Sequence, residues 1–159
     1  MRSSNELRTL QRKLDLIVGQ HGTASVGSLV CFAIFCVIYK TTASPAVLPV
    51  WGALYLATIT LRHTYARTQR TERHEHSVNR QLVRITCLQA VSGRLWGSLC
   101  SYLVMISLPG QHYLVAGIIA GLMTGSLLAH ATAMPIFLAF TLPLALPTSF
   151  AFYRVDAPY

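Results

Sequence analysis

"AGIIAGLMTGSLLAHATAMP", residues 116–135, carries no charged side chain and sets Gly117, Gly121 and Gly125 four residues apart. Ala129 and Ala133 continue the same row. In water, each interior glycine costs a helix about 1 kcal/mol relative to alanine. A helix that keeps three of them on one stripe has to be held by packing rather than by propensity. Around this stretch there is no Asp, Glu, Lys or Arg between Arg94 and Arg154. About 20 residues of helix cross the ~30 Å hydrocarbon core of a bilayer, so this interval holds nearly three crossings. Two further apolar runs precede it, at 23–39 and 43–61. All are continuous rather than alternating, which favours helices over strands. In lipid, only helices and closed barrels bond every backbone group internally.

The expected fold is therefore all-α: a bundle of five transmembrane helices forming one domain over residues 1–159. The spans fall near 22–39, 44–62, 89–108, 112–132 and 134–153, with Pro109-Gly110 and Met134-Pro135 marking tight turns. Composition agrees. Of all residues 53% are hydrophobic and only 11% charged, whereas soluble domains carry about 25% charged residues. Cys31, Cys36, Cys87 and Cys100 show no CxxC spacing and read as small apolar side chains.

Charge sets the orientation. Arg2, Arg8, Arg12 and Lys13 precede the first span, and Arg62, Arg67, Arg70, Arg73, Arg80, Arg84 and Arg94 lie in or beside the loop between spans two and three. Only Lys40 and Arg154 remain for the other side. The positive-inside bias places the N-terminus and the 63–88 loop in the cytoplasm and the C-terminus outside. The net charge of +8 then reflects topology and attraction to anionic lipid heads. No interleaving of basic and aromatic residues points to nucleic acid, so the expected partner is the lipid bilayer. A cleaved leader is disfavoured by Glu6, Asp15 and Pro45 around the first apolar run.

Within 1–21, Ser3 and Glu6 have capping-box spacing. Leu7, Leu10, Leu14 and Ile17 follow at helical intervals, as in an amphipathic helix on the inner leaflet or a cytoplasmic extension of span one. In the basic 63–88 loop, Val78, Leu82 and Ile85 recur at helical spacing. Span three therefore begins in the cytoplasm, and the loop forms a helical hairpin extension between helices two and three. In "ERHEH" (72–76) Glu72 and His76 share a helix face but His74 does not. The segment reads as solvated polar helix, with no metal and no cofactor expected.

Polar groups inside the spans are few. Span three borrows residues back to about Gln89, which puts Arg94 just inside the bilayer, where it can snorkel to the lipid heads. His130 lies near the cytoplasmic end of span four. Arg94 and His130 share a depth, and lining one pocket they would offer an anion site or a pH-dependent switch. These two are the candidate ligand or sensing residues. Trp51, Tyr55 and Tyr113 suit an aromatic belt. The glycine stripe has its reason in lipid, where apolar burial gives helices no net drive to associate and close backbone packing supplies it. Gly117, Gly121, Gly125 and Ala129 are expected to form a groove for a neighbouring helix. Pro135 starts span five, and Pro143 and Pro147 bend it. An intrachain seam is the first reading of the groove, and a homodimer contact the second.

Residues 96–147, "WGSLCSYLVM…FLAFTLPLALP", combine Trp96-Gly97, Pro109, the small-residue run Ala116–Ala133 and a Pro135 to Phe140 opening that leads to Pro143 and Pro147. Together with "LYLATITLRHTYAR" (54–67) they resemble the multispan N-terminal membrane sensory region of bacterial signalling proteins that carry a GGDEF diguanylate cyclase domain. The resemblance implies a sensory region of the bacterial inner membrane that passes its signal to a cytoplasmic output domain or partner. It departs in ending at "RVDAPY", without the sixth span and catalytic domain of that family. The chain is then either a shortened sensory module or a free-standing descendant.

The expected function is a non-catalytic membrane sensory or anchoring module. A small transporter or channel subunit is one alternative, and a scaffold subunit of an inner-membrane complex is another. No catalytic residues are assigned, because no Ser/His/Asp, paired-carboxylate or metal constellation is present.

Overall fold

The computed structural model describes residues 25–68, 75–130 and 133–156. These form five helices: α1 (Ser25–Tyr39), α2 (Val47–Thr68), α3 (Glu75–Ile106), α4 (His112–His130) and α5 (Met134–Asp156). A 3-10 turn at Pro109–Gln111 joins α3 to α4. Among the described residues there is no strand, and the all-α class holds. The amphipathic segment expected within 1–21 lies outside the described residues, as do Glu72 and His74. Short connections make successive helices reverse direction. One end of the bundle, the hairpin end, therefore holds the α2–α3 connection, and the opposite end holds the Pro109 turn.

Two helices, His112–His130 and Met134–Val155, are long and apolar enough to cross a membrane, against the five spans expected. The others fall short for visible reasons. α1 is described only from Ser25, while Arg62 and Arg94 interrupt the apolar parts of α2 and α3. The two qualifying helices do not resemble core helices of a water-soluble fold. Only 22% and 33% of their apolar windows are buried. On α5 the exposed set Met134, Leu138, Leu142, Leu146 and Phe150 runs at four-residue intervals, and on α1 Val26, Val30 and Ile34 do the same. Both faces of these helices are apolar, one inward and one outward.

The hairpin extension exists as helix on both sides of its tip. α2 continues to Thr68 and α3 starts at Glu75, well before its apolar part. Arg84 donates to the Tyr65 hydroxyl across the pair at 3.0 Å, and its guanidinium lies 5.5 Å from the Tyr65 ring centre.

Among helices α2 to α5 the most extensive seam runs between α3 and α5, and glycine decides it at two positions. A Cβ at Gly93 would overlap the Phe140 carbonyl oxygen and lie 2.9 Å from its carbonyl carbon. A Cβ at Gly97 would overlap the Pro143 carbonyl oxygen, with Pro147 Cγ at 2.9 Å and Leu144 Cα at 3.1 Å. The prolines matter here because Pro147 has no N–H with which to bond the Pro143 carbonyl one turn back. That carbonyl turns to the glycine backbone, where weak Cα–H···O contacts recur between helices. Pro135 sits in the first turn of α5, where a missing N–H leaves no gap.

This corrects the expectation for the α4 stripe. Among the described residues, nothing lies within 4 Å of a Cβ built at Gly117, Gly121 or Gly125. The intrachain seam anticipated there is formed instead by Gly93 and Gly97, a second small-xxx-small pair. A second correction concerns the aromatic belt. Trp51 and Tyr55 are buried and join Phe35 and Trp96 in the core, with Trp51 4.8 Å from Trp96 and 5.0 Å from Tyr55, centre to centre. Trp51 Nε1–H donates to the Leu95 carbonyl at 2.7 Å, tying α2 to α3. Tyr113 is exposed. At the opposite end, Tyr39 and Ser107 hydroxyls pair at 2.7 Å and His112 Nε2 reaches the Val104 carbonyl at 3.1 Å.

Gly97→Leu drives a side chain into backbone and is expected to destabilise the folded chain by about 3 kcal/mol or more, the upper part of the overpacking range. Gly117→Leu meets open space and leaves stability within about 0.5 kcal/mol. Unfolding of the two variants in mixed detergent micelles checks the contrast.

Candidate functional site

Toward the hairpin end, the described residues of the bundle line an open cavity of about 450 Å³. Every helix contributes to it: Gly27, Ser28 and Cys31 from α1, Tyr55 and Arg62 from α2, Gln89 from α3, Gly121 to His130 from α4, and Phe140 from α5. These positions converge because the helices alternate in direction. The early parts of α1, α3 and α5 meet the late parts of α2 and α4.

Its polar centre is a buried pair. Gln89 and His130 are 3% and 2% exposed, and their Nε2 atoms lie 2.7 Å apart. His130 Nδ1 lies 3.0 Å from the Ser126 carbonyl, one turn back on α4. A carbonyl can only accept, so Nδ1 carries the proton. The neutral ring then presents a bare Nε2, which accepts a hydrogen from the Gln89 amide. Both nitrogens are satisfied in this tautomer, as a ring in apolar surroundings requires. Most other hydroxyls follow the same economy. Thr58, Ser92, Ser101 and Thr148 donate to carbonyls four residues earlier, at 2.7–3.0 Å. Ser126 departs from this pattern: its hydroxyl oxygen is buried and has no hydrogen-bond partner among the described residues.

Arg62 supplies the positive charge. It lines the cavity, and it is close enough to Tyr55 and His130 to act on both electrostatically. Tyr55 stacks on Trp51 and meets Trp96 edge-on at 5.5 Å, so the cavity abuts the aromatic core. Among the described residues that line it there is no Asp or Glu. The described residues hold no group of three or more metal-ligating side chains.

Of the two candidate sensing residues, His130 lies in this cavity and Arg94 does not. Arg94 is exposed on α3 and absent from the lining. The cation beside His130 is Arg62, two turns after Tyr55 on the same face of α2. In the sequence, Arg62 counts toward the basic exit of span two, and Gln89 only as the start of span three. The spacing Gln89, Gly93, Gly97, Ser101 was the available signal, since it puts Gln89 on the stripe that packs inward. Gly121, Gly125 and Ala129 form a cavity wall, and Gly117 lies outside it. No protein-family model, characterised protein or solved structure matches this chain.

Replacing Gln89 with Leu strands the acceptor at His130 Nε2, a loss expected to cost about 1–3 kcal/mol. Denaturant titration of the purified variant measures it. Nitrogen NMR of the labelled imidazole is expected to report the Nδ1–H tautomer in the parent chain.

Proposed function

We propose that this chain is a multi-pass membrane module, sensory or anchoring in role and non-catalytic by itself, of the kind that serves bacterial signalling proteins at the inner membrane. All five helices span, with the N-terminus and hairpin end in the cytoplasm and the C-terminus outside. The outward apolar faces support the lipid setting. Val50, Leu54 and Leu61 on α2, and Val91 and Met105 on α3, are exposed as well as the stripes on α1 and α5. Contiguous apolar surface on this scale marks a membrane or an interface. The run of Arg62, Arg67, Arg70, Arg73, Arg80 and Arg84 along the sequence between the apolar parts of α2 and α3 supports the orientation.

The observation that carries the sensory reading is the shared cavity. Because all five helices line one void, whatever fills it biases their relative positions. The hairpin of α2 and α3 extends from the same end, so a change there has a short path to a cytoplasmic partner. A ligand shifts such an equilibrium only through different affinities for the two arrangements, and a void bordered by every helix is where such a difference can arise. The resemblance to sensory regions of GGDEF proteins supports the same assignment.

Two measurements test it. Gly110→Cys is expected to react with a membrane-impermeant maleimide in intact cells, and His63→Cys only after permeabilisation. Equal labelling of both positions in intact cells rejects the orientation. A spin label at His63→Cys is expected to change mobility when Gly125→Leu fills the cavity and to be unaffected by Gly117→Leu. Identical spectra in all three backgrounds reject the coupling.

A further inference from the structure

We propose that the cavity toward the hairpin end binds a neutral single-chain amphiphile through a hydroxyl head, a long-chain alcohol being its simplest form. The proposal rests on the membrane-module reading and names the ligand class of that module's cavity. The head is matched by two buried side chains tied to one imidazole. Ser126, 8% exposed, lines the cavity with a hydroxyl that has no hydrogen-bond partner among the described residues. Thr58, Ser92, Ser101 and Thr148 each donate to the carbonyl four residues back, whereas the Ser126 hydroxyl leaves the Leu122 carbonyl aside. A hydroxyl taken from water and left unpaired is costly, and in the wall of a void an occupant can supply the missing partner. Gln89, 3% exposed, lines the same cavity and donates an amide hydrogen to His130 Nε2. Its carboxamide oxygen has no partner among the described residues, and that oxygen can only accept. A hydroxyl head serves both groups, donating to the Gln89 oxygen and accepting from Ser126. An ether, an ester or a carboxylate offers acceptors alone and sets oxygen against oxygen at Gln89. Arg62 shares the lining but has interactions of its own, and the head is matched without it.

The walls beyond these groups suit a hydrocarbon chain. Cys31, Leu122 and Phe140 are apolar, and among the described residues a Cβ at Gly27, Gly121 or Gly125 would meet nothing within 4 Å. The volume of about 450 Å³ falls within the range of small-molecule sites, which are mostly apolar with a few convergent polar groups. Its mouth is marked by residues that line the cavity and are also exposed: Gly27 on α1, and Gly121, Gly125 and Leu128 on α4. In the proposed bilayer this opening faces lipid, so a chain can enter sideways and leave its end in the hydrocarbon. Water alone would answer Ser126 and Gln89 but leave the apolar walls bare. A plain hydrocarbon would fill the walls and leave both polar groups unmet. One molecule with both parts satisfies the two.

The test uses the full chain in dioleoyl-phosphatidylcholine vesicles. Its probe is a dibrominated octadecanol, whose bromines quench nearby tryptophan. Trp51 and Trp96 are the chain's two tryptophans, and both contact Tyr55 in the cavity lining. Saturable quenching is expected, reversed by octadecanol but not by its methyl ether or by stearate. Ser126→Ala is expected to weaken binding roughly three- to tenfold, the loss of one hydrogen bond. Gly125→Leu is expected to abolish the quenching and Gly117→Leu to leave it unchanged. Tryptophan emission matching the parent chain's before probe is added shows that each variant is folded. Displacement by the ether or by stearate as effective as that by octadecanol overturns the proposal, as does undiminished binding in Ser126→Ala or Gly125→Leu. Quenching that never saturates overturns it too, because partition of the probe into the bilayer then explains the signal. Maleimide labelling of Gly110→Cys and His63→Cys in cells separates the two readings. The expected sidedness without quenching removes the ligand class alone, and lost sidedness removes the membrane module and the ligand with it.

Discussion

The close approach of two backbones holds this bundle in its particular form. At Gly93 and Gly97 the main chain of α3 lies against the carbonyls of Phe140 and Pro143 on α5, with no room for a single added carbon. In the membrane setting proposed for this chain, such contact would count for more than apolar burial, because lipid is as greasy as the helix surface. Proline completes the arrangement from the other side, since Pro147 leaves the Pro143 carbonyl without its helical donor. Two residue types poorly suited to helices in water meet and answer each other's defects.

The fixed depth of that seam sets the rest. With α3 pressed onto α5, Trp96 turns toward Trp51 and Tyr55 and builds an aromatic core shared by three helices. One turn before Gly93, Gln89 is placed inward and meets His130 at hydrogen-bonding distance. α4 stands further off. Among the described residues its glycines meet no neighbour, and at Gly121 and Gly125 the space they leave is part of the cavity rather than a contact. The same residue spacing on two helices therefore has opposite consequences. On α3 the glycines admit a partner's backbone, and on α4 they preserve a void.

The all-helical, apolar character of the chain was legible in its sequence. An uncharged interval from Arg94 to Arg154 and an arginine-rich segment between apolar runs follow from composition and order alone, because hydropathy and charge are local properties. Helix positions were close for the same reason, and the early start of α3 could be read from Val78, Leu82 and Ile85. The role of His130 as a buried polar residue was half legible. Its position marked it out, but the partner anticipated for it, Arg94, points away from the site.

By itself, the sequence determined that this protein is helical, apolar on most faces and asymmetric in charge. Only the tertiary structure decided which glycines pack and which leave space, and that Arg62 and Gln89 stand beside His130. The physical reason is that a small-residue stripe records what a helix permits, not what its neighbours do. Rotating one helix by a fraction of a turn exchanges a seam for a cavity without changing any local pattern.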